Sequence, residues 1–365
     1  MKKKVLGFCL IGLLLVGCGS QETQTVAEEN IETVAEVVSE VESETYLFVD
    51  DIGREVELSK NIERVVLSGS ISQNVFFALA PDKIVATSVT WDAGVEEYID
   101  AKYMDLPVTG QIYSNNPPLD PEILAKVQAD VMIDIGESKD GIADDLDKLQ
   151  MQTGIPCIHI SSTLESMPET YRTLGELMQM ETEAEEIAVF CEEMLAEIDA
   201  IEALEDAEKK NVLYVLGDAG LNVLAKDSYF MGAMDQIVNN QAVLENPAAK
   251  GTGNEVDMEQ LLLWNPEIII FDSGSIYDEV ADQVMWQGMD AIAKDTYYKI
   301  PYGPYKWIGQ SSDGYLSLLW AGALLYPEEV TYNLQEEMTR FFKLFYHSDL
   351  TEEQYAAFME DSVLK

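Results

Sequence analysis

Strand-like and helix-like stretches alternate along two parts of this chain, and a purely helical pattern from Leu164 to about Glu208 separates them. The first part reads as strand Arg64–Leu67, a small-residue loop Ser68–Ser72, helix Gln73–Ala80 and strand Lys83–Ser88. It continues with helix Pro121–Gln128, strand Ala129–Ile135, helix Asp140–Gly154 and strand Cys157–Ile160. A hairpin over Tyr46–Leu58, turning near Asp51–Gly53, precedes it. The second part reads as strand Asn211–Leu216, helices Tyr229–Val238 and Met258–Trp264, and strand Ile268–Asp272. Strand–helix–strand alternation feeds parallel sheets covered by helices. Between the two parts Leu174, Leu177, Met178, Ile187, Phe190, Met194, Leu195 and Ile198 recur at helical spacing, with a break expected near Met180–Thr182. The expectation is an α/β protein of two lobes, residues 46–163 and 210–365, joined by one long helix over residues 164–209.

The chain opens with Lys2, Lys3 and Lys4, then the apolar run Val5–Val16, then Gly17-Cys18. The run is too short to span a bilayer comfortably and has the layout of an export signal. A small residue before Cys18 resembles a bacterial lipoprotein signal. That likeness implies cleavage after residue 17, a palmitate-type lipid on Cys18, and a chain anchored on the outer face of the cytoplasmic membrane, with an uncleaved signal anchor as the plainer alternative. Residues 19–45 carry eight Glu, no basic residue and no aromatic. Such a segment cannot bury enough surface to fold and stays extended by self-repulsion, so residues 18–45 read as a tether. Of the remaining cysteines, Cys157 falls on a strand and Cys191 on a helix. Two separate buried thiols are expected, with a disulfide between them as the alternative in an exported protein.

Charge removes one function class. Lys and Arg number 22 against 67 Asp and Glu, a net of −45, whereas nucleic-acid affinity comes mainly from cations. Two histidines, His159 and His347, cannot build a His-rich metal site. His159, at the end of a buried strand, reads as structural, and His347 as surface or packing. The Gly-x-Ser-x-Gly, His-Glu-x-x-His and P-loop motifs are all missing. An enzyme is therefore not the expectation, and neither a resident cofactor nor a metal is implied. A lipid-anchored enzyme or a surface adhesin remains the alternative of another class.

Several segments together resemble the solute-binding proteins of bacterial ABC importers for iron–siderophore, haem and cobalamin. They are Asp51-Ile-Gly-Arg-Glu-Val-Glu-Leu followed by Ile62-Glu-Arg-Val-Val, then the matched segments Leu119–Ile133 and Val256–Ile270, then Tyr302-Gly-Pro-Tyr-Lys-Trp and Leu324-Leu-Tyr-Pro-Glu. The likeness covers about residues 46–360. Ala80-Pro81 departs from it, standing where that family usually has a Gly. The resemblance implies two Rossmann-like lobes joined by a rigid helix, with the ligand in the cleft between them. It also implies a monomer that hands a small molecule to a membrane permease and its ATPase. Glu122 and Glu259, each in the first turn of a short helix, would dock on permease arginines; the plainer role is to complement the helix dipole.

Loops at the carboxyl ends of strands line the ligand crevice in such sheets. In the first lobe these loops hold Ser70 and Ser72, then Trp91, Gln111, Tyr113 and Asn115. In the second they hold Asp218, Asn222, Tyr229, Tyr302, Tyr305, Lys306 and Trp307. Aromatic walls suit a large, partly apolar ligand, and their OH and NH groups give direction. The four arginines, Arg54, Arg64, Arg172 and Arg340, all lie outside these loops, although strongly anionic chelates usually recruit Arg. The ligand expected is a neutral or weakly charged metal chelate, a hydroxamate-like iron–siderophore first. A corrinoid (cobalamin type) comes next, or haem with Tyr113, Tyr302 or Tyr305 on its iron.

Overall fold

The computed structural model describes residues 44–92, 94–114, 117–247, 251, 253–360 and 362. The signal segment, Cys18 and nearly all of the tether lie outside the described residues, as does Asn115. Among the described residues no helix is long and apolar enough to cross a membrane.

The chain enters through an antiparallel hairpin, β1 (Thr45–Val49) and β2 (Glu55–Ser59). Its turn is closed by Asp50, which accepts from the Arg54 backbone N–H at 2.8 Å and pairs with the Arg54 guanidinium at 3.0 Å. β3 (Val65–Leu67), α1 (Ser70–Leu79), α2 (Pro121–Val127), β4 (Val131–Gly136), α3 (Ile142–Thr153) and β5 (Cys157–Ser161) follow. β3, β4 and β5 form a parallel sheet in that order. Ile84 beside Val65, and Val108 beside Thr87, extend it by single bridges. Every residue of β4 is buried, as a strand covered on both faces requires. Each such Val or Ile contributes about 1.5–3 kcal/mol by leaving water.

The helical connection differs from the single rod expected. α4 (Met167–Met178) and α5 (Glu181–Ala196) fold back on one another, and a short α6 (Asp199–Glu202) follows. Arg172 of α4 reaches Glu185 at 2.8 Å and Glu192 at 2.9 Å, both on α5. Residues so far apart on one straight helix could not share a guanidinium. The break falls beside the expected place: Gln179 takes a left-handed backbone, φ 57°, and Met180 restarts the chain. Gly175 lets the helices touch, because a Cβ there would lie 2.4 Å from that of Ala184.

The second sheet collects β6 (Asn211–Leu216), β7 (Asn222–Val223), β8 (Asn239–Asn240), β9 (Asn254–Glu255), β10 (Ile268–Phe271) and β11 (Tyr297–Lys299). Their order is β11-β10-β6-β7-β9, with β8 beside the start of β6. β8, β10 and β11 run in the parallel sense of β6, whereas β7 and β9 join by antiparallel pairing. α7 (Gly232–Ile237), α8 (Met258–Trp264) and α9 (Asp290–Ala293) connect these strands. α10 (Gly314–Leu325), α11 (Leu334–Phe345) and α12 (Glu352–Met359) close the chain.

Three apolar clusters hold these layers. One lies under α2 and α3, around Val66, Leu124, Leu146 and Cys157. A second lies outside β6 and β10, around Leu213, Leu261, Phe271 and Trp286. The third and largest belongs to neither sheet alone. It runs from Val65, Phe76 and Ile133 through Tyr171 and Phe190 to Tyr214, Ile270, Trp320 and Phe345. α10 runs through it, buried at every position but Ala323. A helix apolar all round is the form an interior helix takes. Cys157 and Cys191 are separate buried thiols.

The matched segments of the sequence are a true structural repeat. Asp120 caps α2 and Asp257 caps α8, each accepting from first-turn N–H groups. Both helices end on a left-handed residue, Gln128 and Asn265, and both lead into a buried strand, β4 and β10. Glu122 and Glu259 occupy the same position in each and are exposed.

Candidate ligand-binding cleft

The carboxyl ends of β3, β4 and β5 and those of β6, β10 and β11 supply the two walls. Where they meet, side chains of one wall bond directly to the other. The α1 N-terminus is the centre of the first wall. Gln111 Oε1 accepts from the Ser70 N–H at 3.2 Å, and Ser70 Oγ accepts from the Tyr305 hydroxyl of the second wall at 3.0 Å. Ser72 turns inward instead, stitching α1 to β4 through the Ile135 N–H at 2.8 Å. Trp91 packs edge-on against Phe77, ring centroids 5.1 Å apart, and its buried Nε1 has no hydrogen-bond partner. The adjoining Asp92 accepts from the Tyr302 hydroxyl across the cleft.

Tyr229 spans the same boundary. Its hydroxyl donates to the Ser162 carbonyl at 2.9 Å. Its own carbonyl accepts from Gln310 Nε2 at 2.8 Å, and Gln310 Oε1 accepts from the Leu164 N–H at 2.6 Å. Tyr113 stands on the first wall with the Lys139 ammonium 4.8 Å from its ring centre. Burial pushes the phenols of Tyr113, Tyr229, Tyr302 and Tyr305 upward, Tyr305 to about 12. Nearby carboxylates add to the rise: Asp134 at Tyr113, Glu137 at Tyr229, and Asp92 at Tyr302 and Tyr305. The phenols are therefore neutral hydrogen-bonding groups at physiological pH.

Beneath this floor a buried polar cluster ties α1 to α10. Asn74 Nδ2 donates to Asp313 Oδ2 at 2.8 Å and its Oδ1 accepts from the Ser312 N–H at 3.0 Å. The Tyr346 hydroxyl donates to the same carboxylate at 2.7 Å. Burial pushes Asp313 up to about 7, against the lowering effect of the Tyr346 and Asn74 bonds.

Ser70, Gln111, Tyr229, Tyr302 and Tyr305 thus come together, with Trp91 and Tyr113 beside them. Trp307 does not line the cleft. It is buried in the interior, 5.9 Å from Phe358, with its Nε1 against Gly303. Lys306 points to solvent from the turn that Tyr302 and Lys306 close. Asn222 sits on β7 opposite Leu216, its amide against Gly217. Gln310, Asn74 and Asp313 had no place among the sequence candidates. For Gln310 and Asp313 the one sequence signal is the polar run Gln310–Asp313 directly before an unbroken apolar helix, and Asn74 has none of this kind. A separate groove of about 600 Å³ lies at the far end of α1, lined by Pro81, Asp82, Tyr98, Lys102, Tyr103 and His347 among others. Burial pushes His347 downward there.

The periplasmic binding protein family matches residues 65–302. No curated protein matches the chain. Among solved structures, an ABC transporter solute binding protein from Sulfurospirillum deleyianum aligns with a TM-score of 0.78 at 23% identity, over 86% of this chain and 99% of that one. A periplasmic solute binding protein from Veillonella parvula gives 0.70 at 24% identity, over 87% and 98%. A molybdate periplasmic binding protein from Haemophilus influenzae gives 0.67 at 16% identity, over 84% and 99%. These likenesses establish the fold, and the family match adds the role. The chain belongs to the periplasmic binding proteins, extracytoplasmic and non-enzymatic components that deliver small ligands to the permeases of ABC transporters.

Proposed function

We propose that this binding protein carries a neutral or weakly charged metal chelate, a hydroxamate-like iron–siderophore, from a lipid anchor at Cys18 to its permease. The observation that carries the reading is the make-up of the cleft. Ser70, Gln111, Tyr229, Tyr302 and Tyr305 supply uncharged hydrogen-bonding groups, and carboxylates such as Asp92 and Glu137 stand beside them, with the Lys139 ammonium over the Tyr113 ring. Arg54 is held in the hairpin by Asp50 and Asp147, and Arg172 on the helix pair by Glu185 and Glu192. Such walls fit the outside of a chelate whose metal is already fully coordinated. The Tyr302 and Tyr305 hydroxyls already bond to Asp92 and Ser70, which favours a siderophore or corrinoid over haem held by either tyrosine. Trp91 and Tyr113 would add apolar contact, and Asn222 and Lys306 would close the rim. Glu122 and Glu259 are the proposed contacts to the permease, one from each lobe.

Thermal shift on residues 46–365 against ferric hydroxamates, ferric catecholates, cobinamide, cobalamin, haemin and free metal ions tests the reading. A ligand at about 100 times its dissociation constant stabilises by roughly 2.7 kcal/mol. A shift confined to ferric hydroxamates is the expected result. A shift with catecholates or free metal alone would overturn it.

A further inference from the structure

A hydrogen-bonded chain runs from a buried carboxylate to the surface of the first wall. Asp134 is the acidic residue of the otherwise apolar β4 and is buried. One of its oxygens accepts from the Ser68 hydroxyl, and the other lies 2.7 Å from His159 Nδ1. His159 is fully buried. Its Nε2 lies 3.0 Å from Ser138 Oγ and 3.2 Å from Ser161 Oγ, and the two hydroxyl oxygens are 2.6 Å apart. Ser161 is half-buried and Ser138 exposed.

The carboxylate at Nδ1 sets the tautomer. In the neutral imidazole the proton sits on Nδ1, and Nε2 offers a lone pair. One serine hydroxyl donates to Nε2, and the other donates to the oxygen of the first. Both O–H protons are then engaged inside the triangle, and oxygen lone pairs remain to face outward. The cleft is adjacent, since a Cβ on Gly136 would lie 3.2 Å from the Tyr229 hydroxyl of the other wall. The charges around the triangle have mostly one sign. Asp134 and Glu137 come from β4 and the loop after it, and Asp51 of the hairpin turn accepts from the Ser161 N–H at 2.8 Å. Two cations of the neighbouring segments have other partners: Arg54 pairs with Asp50 and Asp147, and the ammonium of Lys139, next to Ser138 in the chain, lies over the Tyr113 ring.

We propose that Ser138 and Ser161 form an acceptor-only subsite that takes the ammonium or N–H end of the chelate and so selects cationic over anionic ligands. This rests on the chelate-binding reading above and names the ligand's charge class within it. His159 is a positioning residue that holds the hydroxyls in their accepting orientation.

The test uses two probes on the full chain: a linear ferric trihydroxamate with a free terminal ammonium, and the same chelate with that amine succinylated to a carboxylate. The ammonium form is expected to bind about tenfold or more tightly, the size of one charge-assisted hydrogen bond. Ser138→Ala with Ser161→Ala should erase the preference while leaving the fold unchanged by circular dichroism. A preference that survives in the double variant, or tighter binding of the succinylated form, overturns the proposal. A second measurement needs no ligand. With His159 and His347 as the chain's histidines, ¹⁵N-histidine spectra at pH 7 should show His159 with its proton on Nδ1; a protonated Nε2 overturns the proposal. If neither trihydroxamate binds but cationic diaquacobinamide does, and the double variant weakens it, the hydroxamate reading fails and the subsite stands. Binding of no cationic chelate overturns both.

Discussion

The Tyr305 hydroxyl, in the loop after β11, donates to the Oγ of Ser70, the first residue of α1, at 3.0 Å across the two walls. Tyr302 makes the parallel contact to Asp92. The neutral Tyr305–Ser70 bond contributes about 0.5–1.5 kcal/mol to holding the walls together, and a bond to a carboxylate such as Asp92 about 1.5–3 kcal/mol. The double variant Tyr302→Phe with Tyr305→Phe should therefore populate a more open ligand-free form. Small-angle scattering should report a larger radius of gyration, and an identical curve would show that the latch is not what holds the cleft.

Asp313 makes stability depend on pH. Its folded value, about 7, lies above the ordinary 3.8. A carboxyl raised in this way favours the folded state most when protonated. Its favourable contribution is complete below about pH 4 and is lost as pH rises to about 7. Asp313→Asn removes that dependence. The variant should gain on the order of 3 kcal/mol relative to wild type between acid and neutral pH, less whatever the altered Asn74 and Tyr346 bonds cost. Urea midpoints at pH 4.5 and pH 7.5 would reveal it. Equal pH slopes for the two proteins would contradict it.

Gly175→Ala tests the close crossing of α4 and α5. Alanine is the better helix former by about 1 kcal/mol. Here its Cβ would meet that of Ala184 at 2.4 Å, so the helices must separate. Overpacking of this sort costs about 1–3 kcal/mol. A lower denaturation midpoint is expected, and a higher one would mean that the pair is loosely packed.

Glu122→Arg with Glu259→Arg reverses the two exposed charges of the repeat. Both side chains lie outside the cleft contacts, so chelate affinity should be unchanged. Uptake through the permease should be abolished, since complementary charge sets docking orientation and rate. Normal uptake by the double variant would remove both residues from the docking surface.

The parts of the fold that were legible are those written in local pattern. β4 and β10 are short apolar runs, and the acid-capped α2 and α8 repeat in sequence as they do in space. The turn between α4 and α5 was harder to read, because apolar spacing looks alike on either side of a reversal. Gln179 makes the reversal without the glycine that usually marks one. The phenols of the cleft were legible as aromatic residues in loops. Trp307 was not separable from them, since only packing against Phe358 takes it into the interior. The polar devices were illegible for a different reason. Asn74 and Asp313 find each other across 239 positions of sequence, and Leu164 and Gln310 across 146, and no spacing announces such a pair.

The apolar interior that passes from one sheet to the other through α10 also limits how the molecule can be divided. The largest cluster belongs to neither half alone, so a gene fragment encoding the first lobe would leave Phe76 and Phe77 without partners such as Tyr346. Heat or denaturant should then take both halves apart in a single cooperative transition. Chimaeras that exchange one lobe between relatives would have to carry α10 and the residues that touch it as well, and so the unit of inheritance is the whole folded chain.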